Sequence, residues 1–138
     1  MKFMLLLKAD ENTESASTPS DEDLNAMGRY NEELIADGVL LAGEGLHGSA
    51  SGARVEFSDD DRTVIDGPFT ETKELIAGFW IIQAASREEA IERAKRVPLK
   101  TGEIEVRQVF DVSEFDQDNE FVKKEVEWRE EHGESRTA

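Results

Sequence analysis

The sequence predicts an α+β domain of the split βαβ type, and three observations predict it. Short apolar runs and amphipathic stretches follow one another as strand, helix, strand, hairpin, strand, helix, strand. Two of the strands, Phe3 to Leu7 and Gly78 to Ile82, are apolar at odd and even positions alike, as buried strands are. Finally, 138 residues with 38% hydrophobic and 35% charged side chains suit one soluble globular domain plus an extension.

Composition also narrows function. With 32 acidic against 16 basic residues and a formal charge of -16, direct nucleic-acid binding is not expected, because phosphate neutralisation needs clustered Lys and Arg. No apolar run approaches the roughly 20 residues that cross a bilayer, and the stretch after Lys2 is far shorter than the core of a signal peptide; no membrane partner is expected. The absence of cysteine removes disulfide scaffolds, thiolate zinc sites and cysteine nucleophiles, and is compatible with the expected location, a reducing cytoplasm.

The first strand, Phe3 to Leu7, leads into a polar stretch, Asp10 to Ser17, without periodicity, which reads as a loop. Ser20 is an N-cap, and Asp21, Glu22 and Asp23 place negative charge where orphan N–H groups favour it. Leu24, Met27, Tyr30, Leu34 and Ile35 recur at helical spacing and Gly38 suits a left-handed terminus, so a helix is predicted from Asp21 to Asp37. Val39 to Ala42 is the next strand, entered by a tight connection. Arg54 to Phe57 and Thr63 to Ile65 flank an acidic turn as a hairpin. Gly78 to Ile82 reads as a central strand covered on both faces.

Ser86 and Glu89 make a capping box for a helix that buries Ala90, Ile91, Ala94 and Val97 and stops at Pro98. Ile104 to Phe110 closes a domain spanning 1–110. The remainder, 111–138, has ten acidic and four basic residues and carries Phe115, Phe121 and Trp128; it reads as an acidic, partly helical extension with a helix near Asn119 to His132 and fraying from Gly133 to Ala138. This order is the ferredoxin-like split βαβ arrangement with an inserted hairpin. Both its helices cover one sheet face, so the two-faced strands need a second cover. An identical sheet is the cheapest, since a two-fold interface needs only one self-complementary surface, and a homodimer is expected.

Gly43-Glu44-Gly45-Leu46-His47-Gly48 matches G-x-G-x-x-G after a predicted strand. A dinucleotide site would need a helix to begin within it, whereas another strand follows and Glu44 would repel phosphate. His47 is the only histidine of the domain; its ordinary pKa of about 6.5 makes it the best candidate acid or base. A metal site would need Glu44 and Asp66 to join it, which the spacing does not support, and no cofactor is expected. Asp66-Gly67-Pro68-Phe69 is the most informative segment. Asp66 can stabilise the turn by accepting from N–H groups ahead of it; alternatively the rigid turn holds its carboxylate at the mouth of a cleft, with Phe69 as an apolar wall and Lys73 as a nearby charge.

The run Asp66 to Glu74, followed by Gly78 to Ile82, resembles the YCII-related proteins of the DGPF subgroup, with Phe3 to Leu7, Leu40 to Leu46, Ser86 to Val97 and Glu105 to Arg107 in matching order. The resemblance covers about Met1 to Phe110. It implies a ferredoxin-like fold paired through its sheets into a dimeric α/β barrel, with a cleft between sheet and loops that binds a small molecule. On the reading of the residues given above, and not on the resemblance, catalysis would fall to Asp66 and His47, with Glu44, Phe69 and Lys73 binding the ligand. Some relatives are thought to use a His and Asp pair, and one acts as a dehydrochlorinase on chloroaromatics, so lyase or isomerase chemistry is implied. Relatives place that histidine on the first helix, which has none here, and the pair cannot be carried over. DGPF-type proteins are often encoded beside extracytoplasmic-function sigma factors, which implies the alternative of a non-catalytic accessory or regulatory protein.

Overall fold

The computed structural model describes residues 1–15 and 18–133. Its strands are β1 (Lys2–Lys8), β2 (Leu40–Gly45), β3 (Ala53–Ser58), β4 (Asp61–Asp66), β5 (Ile76–Gln83) and β6 (Ile104–Gln108). Its helices are α1 (Glu11–Ser15), α2 (Asp21–Ala36), α3 (Arg87–Lys95) and α4 (Glu120–His132). Four strands form an open sheet in the order β2-β5-β1-β6, while β3 and β4 pair by themselves. Every neighbouring pair is antiparallel. β1-α2-β2 and β5-α3-β6 each leave a gap that a strand of the other fills, so the two units lock together as the sequence predicts.

One face of the sheet carries the core. Phe3, Leu5, Trp80 and Ile82 are buried against Tyr30 and Leu34 of α2 and Ala90 of α3. The Tyr30 hydroxyl donates to the Arg93 carbonyl at 2.9 Å, its ring meets Trp80 edge-on with centroids 5.4 Å apart, and the Trp80 indole N–H donates to Asn31 Oδ1 at 2.8 Å. Ion pairs from Arg93 to Asp37 and from Arg96 to Glu33 join the C-terminal ends of the two helices.

Capping follows the sequence closely. Ser20 Oγ accepts from the Asp23 N–H at 3.2 Å, Gly38 has φ +70°, and Ser86 Oγ accepts from the Glu89 N–H at 3.1 Å. Glu89 reaches back to the N–H of Ala85, one residue before the cap. Asn119 Oδ1 accepts from the N–H groups of Phe121 and Val122 at the start of α4.

Two expectations need correction. The polar stretch from Asp10 is helical over Glu11–Ser15. Asp10 Oδ1 accepts from the Thr13 N–H and Thr13 Oγ1 from the Asp10 N–H, both at 2.8 Å, and this reciprocal cap holds a turn with no buried residue that could show periodicity. Residues 16 and 17, the end of that stretch, and the fraying expected for 134–138 lie outside the described residues. On α2 the apolar stripe is wider than the buried one: Tyr30 and Leu34 are buried, whereas Leu24 is 54% and Ile35 62% exposed. At about 100° per residue these two lie roughly a quarter to a third of a turn from the centre of the buried stripe.

β5 is central in the sheet, and the helices cover one of its faces, as the split βαβ arrangement predicts. On the other, Met4 pairs with Ile81 and Leu6 with Phe79, and all four are half-buried. Arg107 and Glu105 lie opposite Met4 and Leu6 on β6, and Ala42 and Glu44 opposite Ile81 and Phe79 on β2. This face is therefore an apolar block rimmed by charge.

The β3–β4 hairpin turns through Asp59 and Asp60, with Asp59 at φ 49°, a conformation that Asp tolerates. All its strand residues are exposed, and Phe57, at 71%, has the Arg62 guanidinium 4.5 Å from its ring centroid.

Tyr30 is the single tyrosine, and burial pushes its hydroxyl up to about 12, partly opposed by the charge of Arg93. Both folded and unfolded chains hold the proton below pH 10, so the stabilisation is complete there and is lost as pH climbs towards 12. Phenolate absorbance should rise with a midpoint near 12; a midpoint at the ordinary value of about 10 would contradict the packing described.

Candidate functional site

The loops that carry the candidate residues gather at one end of the sheet. Lys8 of β1 pairs with Ile76 of β5, and Gly45 of β2 with Gly78 of β5; the chain leaves β1 and β2, and enters β5, at this end. The close approach of β2 and β5 needs glycine, since a Cβ on Gly78 would lie 2.8 Å from the Glu44 carbonyl oxygen. Gly43 and Gly45 are thus strand residues, and the chain continues through a 3-10 turn, Ser49–Ser51, into β3, so the glycine run opens no helix.

Ser49 is the polar centre of this end. Its backbone N–H donates to Glu14 Oε2 at 3.0 Å and its hydroxyl donates to Glu14 Oε1. The same hydroxyl accepts from the Phe69 N–H at 3.0 Å, and the Gly67 N–H donates to the Gly52 carbonyl at 2.9 Å. Helix α1, the glycine link and the Asp66–Phe69 turn are therefore tied at one point. The fit explains two glycines. A Cβ on Gly67 would overlap the Ser49 carbonyl oxygen, and one on Gly48 would overlap that of Glu14. The Gly67–Pro68 peptide is cis. Phe69 is half-buried, with the Arg54 guanidinium 3.8 Å from its ring centroid.

Asp66 ends β4 opposite Ala53 and is exposed. Among the described residues no hydrogen bond or ion pair engages its carboxylate. The Phe69 N–H ahead of it is taken by Ser49, so Asp66 does not act as the brace of its own turn. His47 is exposed between β2 and the Ser49 turn. Ser49 thus ties together the segments that carry His47, Asp66 and Phe69, and among the described residues no hydrogen bond or ion pair joins the His47 and Asp66 side chains. Glu44 lies further along β2, opposite Phe79, and Lys73 is exposed on the 3-10 turn Thr72–Glu74; among the described residues no side-chain hydrogen bond joins either to the cluster. Among the described residues no three His, Asp or Glu side chains come close enough to hold a metal.

Sequence reasoning missed Glu14 and Ser49, which hold the cluster together. The signal was faint: Glu14 lies in a stretch without apolar periodicity, and Ser49 in a glycine-rich link. Across the open face Glu105 bonds Arg107 at 3.0 Å and Lys8 at 3.4 Å, and these hydrogen bonds hold its carboxyl below the ordinary value. Two shallow grooves exist elsewhere, one between α3 and β6 and one between α2 and the end of α3; neither is lined by any of the five candidate residues.

The model of the YCII-related domain matches residues 1–113. The chain belongs to the YCII-related family. An uncharacterised protein of Rhizobium meliloti (strain 1021) is 35% identical over 115 residues, covering 78% of this chain and 90% of the relative. The YCII-related match takes in the sheet, α1 to α3 and the whole loop cluster, and stops before α4.

These contacts separate the roles within the YCII-related domain. Ser49→Ala strips partners from Glu14 and the Phe69 N–H and should cost about 1–3 kcal/mol; Gly67→Ala should cost more, by displacing backbone. Asp66→Asn should stay within about 0.5 kcal/mol of the wild type. Urea unfolding checks all three, and an Asp66→Asn loss as large as that of Ser49→Ala would make Asp66 structural.

Proposed function

We propose that this YCII-related protein binds a small molecule at the loop end of its sheet, in a cleft completed when two copies pair through their open faces as a dimeric α/β barrel. The observation that carries this reading is the pairing of an unengaged carboxylate with a preorganised frame. Asp66 is free of partners among the described residues, yet the turn that presents it is fixed by Ser49 and Glu14. A polar group held in place and left open to solvent is available to a ligand.

Met4, Leu6, Phe79 and Ile81 support the pairing, because an apolar block of this kind on a single protomer favours a matching surface. Glu44 lies on that face beside Phe79 and would line the cleft. In this reading Phe69 forms an apolar wall and Lys73 attracts an anionic group. Asp66 or His47 exchanges a proton, as in a lyase or isomerase acting next to a carbonyl or a leaving group.

A second reading, a non-catalytic accessory protein, is favoured by one observation: the two grooves described above lie away from the loop cluster. Screening small enolisable carbonyl compounds and aromatic acids by thermal melting separates the two. A binder at one hundred times its Kd adds about 2.7 kcal/mol and should raise the wild-type Tm by several degrees. Asp66→Asn should lose that rise while keeping its own Tm. A rise that survives Asp66→Asn, or none across the panel, favours the accessory reading.

A further inference from the structure

The loop end of the sheet already holds a carboxylate, and that carboxylate belongs to the chain. The Ser49 N–H donates to Glu14 Oε2 at 3.0 Å and the Ser49 hydroxyl donates to Glu14 Oε1. Two charge-assisted hydrogen bonds from one residue, one to each oxygen, make a cradle suited to a carboxylate from any source. Ser49 and Glu14 are both half-buried, so the cradle is sheltered yet within reach of solvent.

The segment that fills the cradle is lightly held. Helix α1 buries no residue. Among the described residues its other hydrogen bonds run only between positions 10 and 15, and Glu14 brings its carbonyl against Gly48. A segment with so little buried apolar surface opens locally at low cost. A cation is tied to the same point through Phe69. The Arg54 guanidinium lies 3.8 Å from the Phe69 ring centroid, and the Phe69 N–H donates to the Ser49 hydroxyl at 3.0 Å. Stacking uses the face of a guanidinium and leaves its N–H edge open to a carboxylate. Among the described residues no hydrogen bond or ion pair engages that edge. Glu14 does not reach it, nor does Glu56, two positions along on the same face of β3, nor Asp66, opposite Ala53.

We propose that Ser49 and Arg54 form a subsite for the carboxylate of a small organic acid, and that Glu14 occupies it as an internal stand-in which the ligand displaces, releasing α1. The proposal rests on the reading of the loop end as a small-molecule site and gives that ligand its chemical class. Exchanging one carboxylate for another at Ser49 leaves the charge beside Asp66 unchanged. The incoming group gains Arg54, which Glu14 does not engage, and this differential contact drives the exchange. The Phe69 N–H stays on the Ser49 hydroxyl in both states, so the Asp66–Phe69 turn keeps its place.

Benzoate and its neutral analogue benzamide, titrated calorimetrically into the full-length chain, test this. Benzoate should bind the wild type about tenfold more tightly than benzamide does, and Glu14→Ala, which lacks the competing carboxylate, about tenfold more tightly again. Glu14→Gln, which keeps a weaker neutral acceptor, should fall between the two. Arg54→Gln, a change at an exposed position, should weaken benzoate binding about tenfold and leave benzamide binding unchanged. In the wild type, saturating benzoate should also speed cleavage after Glu11 and Glu14 by a glutamate-specific protease, because α1 is released. Benzoate affinity that is equal in wild type and Glu14→Ala, indifference to Arg54→Gln, or α1 cleavage that benzoate leaves unchanged or slows overturns the proposal. A neutral carbonyl compound whose binding depends on Asp66 but not on Glu14 overturns it while leaving the small-molecule reading intact. No binding of either probe or of any panel compound, by wild type or Glu14→Ala, overturns both.

Discussion

A four-stranded sheet with two apolar faces and helices enough for one is the constraint from which the rest of this protein follows. Phe3, Leu5, Trp80 and Ile82 spend their hydrophobic surface on α2 and α3. Met4, Leu6, Phe79 and Ile81, interleaved with them on the same strands, cannot reach those helices, because side chains alternate along a strand. Burial of a large apolar side chain is worth roughly 1.5–3 kcal/mol, so four half-covered ones hold a substantial unspent driving force for association. A charged rim borders that surface, with Glu44 on one side and Lys8, Glu105 and Arg107 on the other.

The loop end of the sheet is governed by a second, local interaction. Glu14 and Ser49 join three segments that are distant in sequence, and their geometry leaves no space for a side chain at Gly67 or Gly48. The Asp66–Phe69 motif is therefore two things at once. Gly67 and the Phe69 N–H belong to the frame, while Asp66, one residue away, takes no part in it. This division explains how one short motif can be rigid and still present a carboxylate that has no partner among the described residues.

Much of this was legible in the sequence. Ser20 and Ser86 announce helix starts through their own hydrogen bonds and Gly38 a helix end through its positive φ, and the mixed-parity apolar strands announce a sheet with two greasy faces. What could not be read was whatever depended on side chains meeting across long sequence separations. The Glu14 to Ser49 contact spans 35 positions and has no periodic trace. Helix α1 is fixed by a cap between Asp10 and Thr13 and buries nothing, so hydrophobic spacing was silent. Leu24 and Ile35 show the opposite failure, since a periodic stripe marks which residues could be buried and not how wide the neighbouring surface is. Of the candidate residues, Asp66, His47 and Phe69 reach one loop cluster, whereas Glu44 belongs to the open sheet face.

The central claim is that the open face is an interface. Sedimentation equilibrium of the full-length chain and of Phe79→Glu at micromolar concentration tests it most directly, with circular dichroism to confirm that both are folded. The account predicts that the wild type associates and that a charge at Phe79 breaks the sheet-to-sheet contact, lowering the assembled mass while the helices and sheet persist. A wild type that sediments as a folded single protomer, or a Phe79→Glu protein whose mass is unchanged, would contradict it.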